Sequence, residues 1–203
     1  MIKTFISYDN FHKEKKDQIQ NIIKKYPEKF CDASLDYSLN LSTNEAIRQK
    51  IRDDYITDAS VLILVATEDV KGRKFIDWEI AAAMYDGSKR ADGRKNDICG
   101  IVVVDYVKQN IRTKYDEIKS MYNNIIGQIR WFSLSDKETK ERYDYLPNRI
   151  VDSMIKGATI TIIPSNHIDD LLPIAIEKAH NDKNENIGKY IFNDLKRNNS
   201  PRK

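Results

Sequence analysis

Glycine is scarce in this sequence, and it is missing where nucleotide-binding folds most often use it. The 203 residues include 7 glycines, and none of them lies in the first seventy positions. Neither G-x-G-x-x-G nor G-x-x-x-x-G-K-[S/T] occurs, which excludes the dinucleotide-binding fingerprint and the P-loop. A phosphate bound by the first crossover of the chain would therefore have to be held by side chains.

Cysteine and histidine are also few. The two cysteines, Cys31 and Cys99, stand in strand-like segments without a C-x-x-C pair. Buried reduced thiols are therefore expected, rather than a disulfide, a nucleophile or a metal site. The three histidines are scattered at spacings that do not suit metal ligands, so no metal is expected.

Long apolar runs are missing as well. The longest are "VLILVA" at 61–66 and "GIVVV" at 100–104, far too short to span a bilayer, and the first residues lack a signal-peptide core. A cytoplasmic protein without membrane association is expected. The net charge of +3 is too small to indicate nucleic-acid binding. The basic clusters at 71–74 and 88–95 are typical of solvated loops, with an anion site as the alternative.

Strand-like and helix-like segments alternate over about the first 135 residues. Short apolar stretches are typical of strands at 2–7, 29–35, 60–66 and 98–106, with a possible edge strand at 129–134. Helical spacing of apolar residues lies between them, at 16–26, 42–55, 73–84 and 118–125. This alternation predicts an α/β fold, a flavodoxin-like doubly wound parallel sheet.

The rest of the chain predicts a mostly helical extension packed on that core. Helices are expected on either side of Pro147 and at 168–179, with a strand-like segment at 157–165. The last residues are expected to be frayed. The predicted division is a domain at 1–135 and an extension at 136–203.

Open parallel sheets bind ligands outside the carboxyl ends of their strands. Polar residues 7–10 follow the first strand, Ser34 follows the second, and Glu79 lies early in the helix after the third. Glu79 stands four residues after Phe75 and beside the apolar stripe of its helix. It is either a charge that stabilises the helix N-terminus or a carboxylate held in an aromatic pocket for chemistry. The residues alone leave both interpretations open.

Four segments in the same order resemble the TIR domain, most closely the standalone bacterial TIR proteins of Thoeris antiphage defence: "KTFISYDN", "DASLDYS", "ITDASVLILVATEDVKGRKFIDWEIAAAM" and "IVVVDY". The resemblance covers approximately residues 1–135. It implies a flavodoxin-like fold and, in enzymatic members, cleavage of the nicotinamide–ribose bond of NAD+. NAD+ is then the substrate, and no resident cofactor is implied.

The resemblance assigns Glu79 to the catalytic position and Phe75 to the aromatic position four residues before it, with Trp78 directly preceding the glutamate. Phenylalanine replaces the usual tryptophan, which keeps a stacking face but loses the indole N–H. The substrate-binding candidates are Ser7, Tyr8, Asp9 and Asn10 in the first loop, Ser34 across the site, Arg73 and Lys74 for the pyrophosphate, and Phe75 and Trp78 for stacking.

A carboxylate at position 79 suits this chemistry, because it opposes the positive charge of an oxocarbenium-like ribosyl centre. The implied product is ADP-ribose, a cyclic isomer of it or a conjugate, which would reach a separate effector protein. The resemblance leaves a homo-oligomer open, since TIR sites are often completed by a neighbouring subunit.

Three other functions stay open at this point. The chain could be a non-enzymatic TIR-type interaction or assembly module, in which Phe75 and Trp78 pack in the core. It could be a flavodoxin-like nucleoside transferase whose glutamate is glycosylated covalently. A response regulator fits less well, since only Asp9, followed by Asn10, stands where an acidic cluster is required.

Overall fold

The computed structural model describes residues 1–34, 56, 58–85, 98–107 and 136–191. Within them, five strands form one sheet: β1 Ile2–Ser7, β2 Phe30–Asp32, β3 Val61–Ala66, β4 Gly100–Asp105 and β5 Thr161–Pro164. Every pair is parallel, and the strand order is β2-β1-β3-β4-β5. The predicted α/β, flavodoxin-like doubly wound fold is therefore confirmed.

The helices of the described residues lie on both faces of the sheet. They are α1 Lys13–Ile23, α2 Lys74–Met84, α3 Asp136–Arg142, α4 Asn148–Ile155 and α5 Ile168–Asp182. Helices α1 and α5 cover one face, whereas α2 and α4 cover the other. The helices predicted on either side of Pro147 are confirmed as α3 and α4. None of the described helices is long and apolar enough to cross a membrane.

Strands β3 and β4 are apolar along their whole length because both of their faces are covered. On β3, Leu62, Leu64 and Ala66 pack against α2 and α4, and Ile63 and Val65 pack towards α1 and α5. The same alternation on β1 points Phe5 towards α2. This alternation of side chains between the two faces determines which residues at the strand ends can contact α2.

The strand-like segment at 157–165, predicted to lie in an appended extension, contributes β5 to the central sheet. β5 pairs directly with β4, from Val102 opposite Thr161 to Asp105 opposite Pro164. Helix α5 packs on β3, β4 and β5. Residues beyond 135 therefore supply an edge strand and a covering helix to the central sheet, and the predicted domain division at residue 135 stays a prediction. The sequence of a short apolar strand does not indicate which neighbouring strand it pairs with.

Some predicted elements lie outside the described residues. They are the helices at 42–55 and 118–125, the edge strand at 129–134, the basic cluster at 88–95 and the tail after 191. These stay predictions.

Gly100 is expected to resist replacement by alanine, because α5 approaches β4 closely there. A Cβ at this position would lie 2.0 Å from the carbonyl oxygen of Ala179, so backbone would have to move. Gly100→Ala should lower the free energy of unfolding by about 1–3 kcal/mol, measured by urea denaturation. Gly72→Ala is the matched control, since a Cβ there meets nothing within 4 Å. Equal stability of the two variants would contradict this packing.

Candidate functional site

The last residue of β1 meets a carboxylate of α2. The hydroxyl of Ser7 donates a hydrogen bond of 2.5 Å to Oε2 of Glu79, across 72 residues of sequence. Ser7 stands two positions after Phe5, so its side chain points to the same face of the sheet, the face that α2 covers. Because α2 follows β3, and β3 pairs with β1, the two residues meet at the carboxyl ends of adjacent strands.

Glu79 is not a solvated helix charge. It is 8% exposed, and Ser7 is fully buried. A buried carboxylate is costly unless polar groups satisfy it, and the Ser7 hydroxyl is one such group. This burial excludes a solvated charge at the helix start, while stabilisation of the helix N-terminus and a catalytic role both stay predictions.

Another carboxylate occupies the first turn of α2. Asp77 accepts hydrogen bonds from Nε of Arg149 at 3.2 Å and from Nη2 at 3.1 Å. Both side chains are buried. This forked pair fastens α2 to α4 two residues before Glu79. Asp77 is therefore a structural residue, and Glu79 projects in another direction.

Aromatic residues surround the start of α2 at different depths. Phe75 is 50% exposed, whereas Trp78 is 3% exposed and packs in the core. Their rings meet edge to face at 5.4 Å, and Nζ of Lys74 lies 4.6 Å from the centroid of the Trp78 ring. Phe75 thus has a face open to a ligand. Trp78 lies beneath Phe75 and supports its ring, while the stacking of a ligand on Trp78 stays a prediction.

An ion pair joins the loops that follow β1 and β3. The Asp9 carboxylate pairs with the Nε of Arg73, and the guanidinium lies 5.4 Å from the centroid of the Phe11 ring. Asp9 also accepts a hydrogen bond of 3.1 Å from the backbone N–H of Phe11, which caps the short 3-10 helix Asn10–His12. Phe11 is 79% exposed and is not among the site residues predicted from the sequence. The one feature of the sequence that could have indicated Phe11 is an apolar ring in an otherwise polar loop.

The remaining candidates share the carboxyl edge of the sheet but lie elsewhere on it. Tyr8 alternates to the opposite face from Ser7, where its ring lies 5.1 Å from Nζ of Lys16. Asn10 is exposed at the start of the 3-10 helix. Ser34 lies two residues beyond β2, and its backbone N–H and hydroxyl both donate to the carboxylate of Asp32, the last residue of that strand. The structure thus brings Ser7 and Glu79 together, and Asp9 and Arg73, but leaves these three outside those contacts.

At the carboxyl end of β4, Asp105 forms a hydrogen bond with Tyr145 that was not predicted from the sequence. The hydroxyl of Tyr145 donates a hydrogen bond of 2.5 Å to Oδ2 of Asp105, which is 1% exposed. Burial, and then the contact with Asp105, raise the pKa of Tyr145, so the phenol stays protonated and keeps donating. Oδ1 of Asp105 accepts from the backbone N–H of Val107 at 2.8 Å. The Asp105 carboxylate therefore has a structural role.

Cys31 and Cys99 are free thiols, and Cys31 is only half-buried. Among the described residues, no group of three or more histidine, cysteine, aspartate or glutamate side chains is arranged to hold a metal ion.

A parallel sheet of order 2-1-3-4-5, with polar residues gathered where β1 and β3 end, defines a flavodoxin-like protein with its ligand crevice at that switch point. Residues 5–105, about half of the chain, match the family model described as Thoeris protein ThsB, TIR-like domain. These residues form a TIR-like domain of the Thoeris ThsB family, which confirms the resemblance and a place in Thoeris defence signalling. No curated protein and no solved structure matches the chain.

Proposed function

We propose that this protein cleaves the nicotinamide–ribose bond of NAD+, with Glu79 as the catalytic carboxylate. The observation that supports this most is the buried hydrogen bond from Ser7 to Glu79 at the switch point of a TIR-like domain. A carboxylate held in a dry crevice opposes positive charge on the ribosyl centre far more strongly than one in water.

The proposed reaction breaks the bond between C1′ of the ribose and the pyridinium nitrogen. The bonding electron pair leaves with nicotinamide, and positive charge builds on the ribosyl centre. Ser7 keeps the Glu79 carboxylate in one orientation beside that centre. Water as the acceptor gives ADP-ribose and a proton, an atom of the bound nucleotide gives a cyclic isomer, and another small molecule gives a conjugate.

The rest of the nucleotide would be held by side chains at the start of α2. The half-exposed ring of Phe75 offers a face on which a base can stack. Arg73 and Lys74 stand at the helix N-terminus, where backbone N–H groups and the helix dipole favour a diphosphate. The product would act as a messenger that binds a separate effector protein.

The test is incubation of the purified protein with NAD+ at low and high protein concentration, with products resolved by chromatography and mass. We expect release of nicotinamide with an equimolar ribosylated product, whose mass separates hydrolysis and cyclisation from conjugation. Turnover per molecule that rises with protein concentration would indicate a homo-oligomeric site. The absence of nicotinamide at every concentration would contradict the proposal.

The second candidate is a TIR-type assembly module without enzymatic activity. It is favoured by the exposure of two phenylalanines near the same loops, Phe11 at 79% and Phe75 at 50%. Exposed aromatic rings are enriched in protein interfaces. Concentration-dependent self-association that is lost in a Phe11→Ser variant, without nicotinamide release, would support this candidate over the enzyme.

Ser7→Ala is expected to slow turnover while leaving the protein folded. Loss of a hydrogen bond to a buried carboxylate costs about 1.5–3 kcal/mol, so kcat should fall roughly 10-fold to 100-fold. Thr4→Val is the matched control, because Thr4 is also buried on β1 but its hydroxyl donates to the carbonyl of Cys31. The control should lose stability but not turnover. Full activity in Ser7→Ala would show that Ser7 does not position Glu79.

A further inference from the structure

The ion pair between Asp9 and Arg73 lies farther out than the contact between Ser7 and Glu79. Asp9 stands two residues beyond Ser7, past the carboxyl end of β1, and Arg73 precedes the first residue of α2. Since six residues of helix rise about 9 Å, Arg73 lies more than a turn outward from Glu79. The pair thus bridges two loops on the solvent side of the buried carboxylate.

The two partners of this pair differ in how far solvent reaches them. The side chain of Arg73 is 40% exposed, whereas that of Asp9 is 8% exposed. A ligand that arrives from solvent therefore meets the cation first and finds it already neutralised by a carboxylate from the other loop. An accessible guanidinium prefers anions with paired oxygens, and a diphosphate offers them.

The guanidinium is also held from a second side. Its carbon lies 5.4 Å from the centroid of the exposed Phe11 ring, and Asp9 fixes the backbone of Phe11 through its other carboxylate oxygen. Asp9 therefore controls both contacts of Arg73, one by charge and one by placing the ring. Contact with an aromatic face keeps Arg73 ordered when its ion pair opens.

From these contacts we propose that Asp9 is a positioning residue that holds Arg73 in an exchangeable ion pair, and that a diphosphate ligand binds by displacing Asp9 from Arg73. Asp9 then competes with the ligand for Arg73. This competition makes the affinity for a diphosphate lower than it would be if Arg73 had no carboxylate partner. This inference rests on the proposed function for the choice of diphosphate, but its test measures binding and not cleavage.

Asp9→Asn separates the two roles of this residue. The amide oxygen still accepts the hydrogen bond from the N–H of Phe11, while the charge that competes for Arg73 is removed. The loss of an ion pair with one exposed partner changes an equilibrium constant, here that of ligand binding, by at most about fivefold. We therefore expect Asp9→Asn to bind ADP-ribose roughly threefold to fivefold more tightly than wild type, by calorimetry at fixed ionic strength.

Three further variants make this result specific. Asp69→Asn removes one charge from an exposed residue of the same β3–α2 loop, whose side chain caps no backbone group of the following turn. It controls for a general loss of negative charge and should leave the affinity within about twofold. The double variant Asp9→Asn with Arg73→Gln should bind no more tightly than Arg73→Gln alone.

The expected result is a gain in affinity that requires Arg73, with melting temperatures close to wild type. A gain of the same size in Asp69→Asn, or in the absence of Arg73, would overturn the inference, because general charge would then explain it. Weaker binding in Asp9→Asn would overturn it too, and would mean that Asp9 contacts the ligand. Nicotinamide release without ADP-ribose binding in any variant would overturn the inference and leave the proposed function standing.

Discussion

Replacement of Glu79 by glutamine is expected to abolish cleavage of NAD+ while leaving the fold intact. The amide has almost the same size and still exchanges a hydrogen bond with the Ser7 hydroxyl, so the packing of α2 should persist. What disappears is the negative charge that opposes the developing ribosyl cation. The loss of such an electrostatic contact in a buried site lowers kcat by about 10²-fold to 10³-fold or more.

The measurement is the initial rate of nicotinamide release, together with the melting temperature of the same preparation. Glu68→Gln is the matched control, since Glu68 is an exposed glutamate in the loop before α2. It should retain both turnover and stability. A folded Glu79→Gln protein that cleaves NAD+ at the rate of wild type would refute the assignment of the catalytic carboxylate.

Removal of Arg149 is expected to be the most destabilising single change outside the apolar core. Its guanidinium makes a forked contact with Asp77 and donates from Nη1 to the carbonyl of Ile191 at 3.0 Å. In Arg149→Met, the Asp77 carboxylate would keep its burial but lose its counter-charge. Breaking a buried pair in this way costs about 3–5 kcal/mol of the free energy of unfolding.

Urea denaturation would measure this loss, with Lys29→Met as the matched control. Lys29 pairs with Glu177 at 2.9 Å, but both side chains are about half exposed, so its loss should cost at most about 1 kcal/mol. Adding Asp77→Leu to Arg149→Met should restore much of the stability, because the double variant leaves no buried charge. Equal losses in Arg149→Met and Lys29→Met would contradict the structural role of this pair.

The position of the candidate site could be predicted from sequence because it depends on rules of the sheet. Alternating strands and helices predict a parallel sheet, and residues after β1 and β3 must then gather at one edge. Ser7 and Glu79 are both candidates on this basis, and their contact in the structure agrees with it. The continuous apolar runs of β3 and β4 are typical of strands covered on both faces, and every residue of both strands is buried.

The partners of charged residues could not be predicted, since nothing local in a sequence indicates them. Asp77 and Arg149 are 72 residues apart, and Tyr145 and Asp105 are 40 apart. Residues this far apart in the chain show no periodicity that would connect them. The same limit explains β5, whose four residues would suit a strand of the predicted extension as well as the edge of this sheet.

The most direct test of the central claim is proton NMR of NAD+ during incubation with the wild-type protein. The nicotinamide ring protons report the bond to ribose, because their signals shift when nicotinamide becomes free. We predict that the nicotinamide ring signals of intact NAD+ decline while the signals of released nicotinamide grow by the same amount. Unchanged NAD+ signals over a range of protein concentrations would contradict an NAD+-cleaving site built on Ser7 and Glu79.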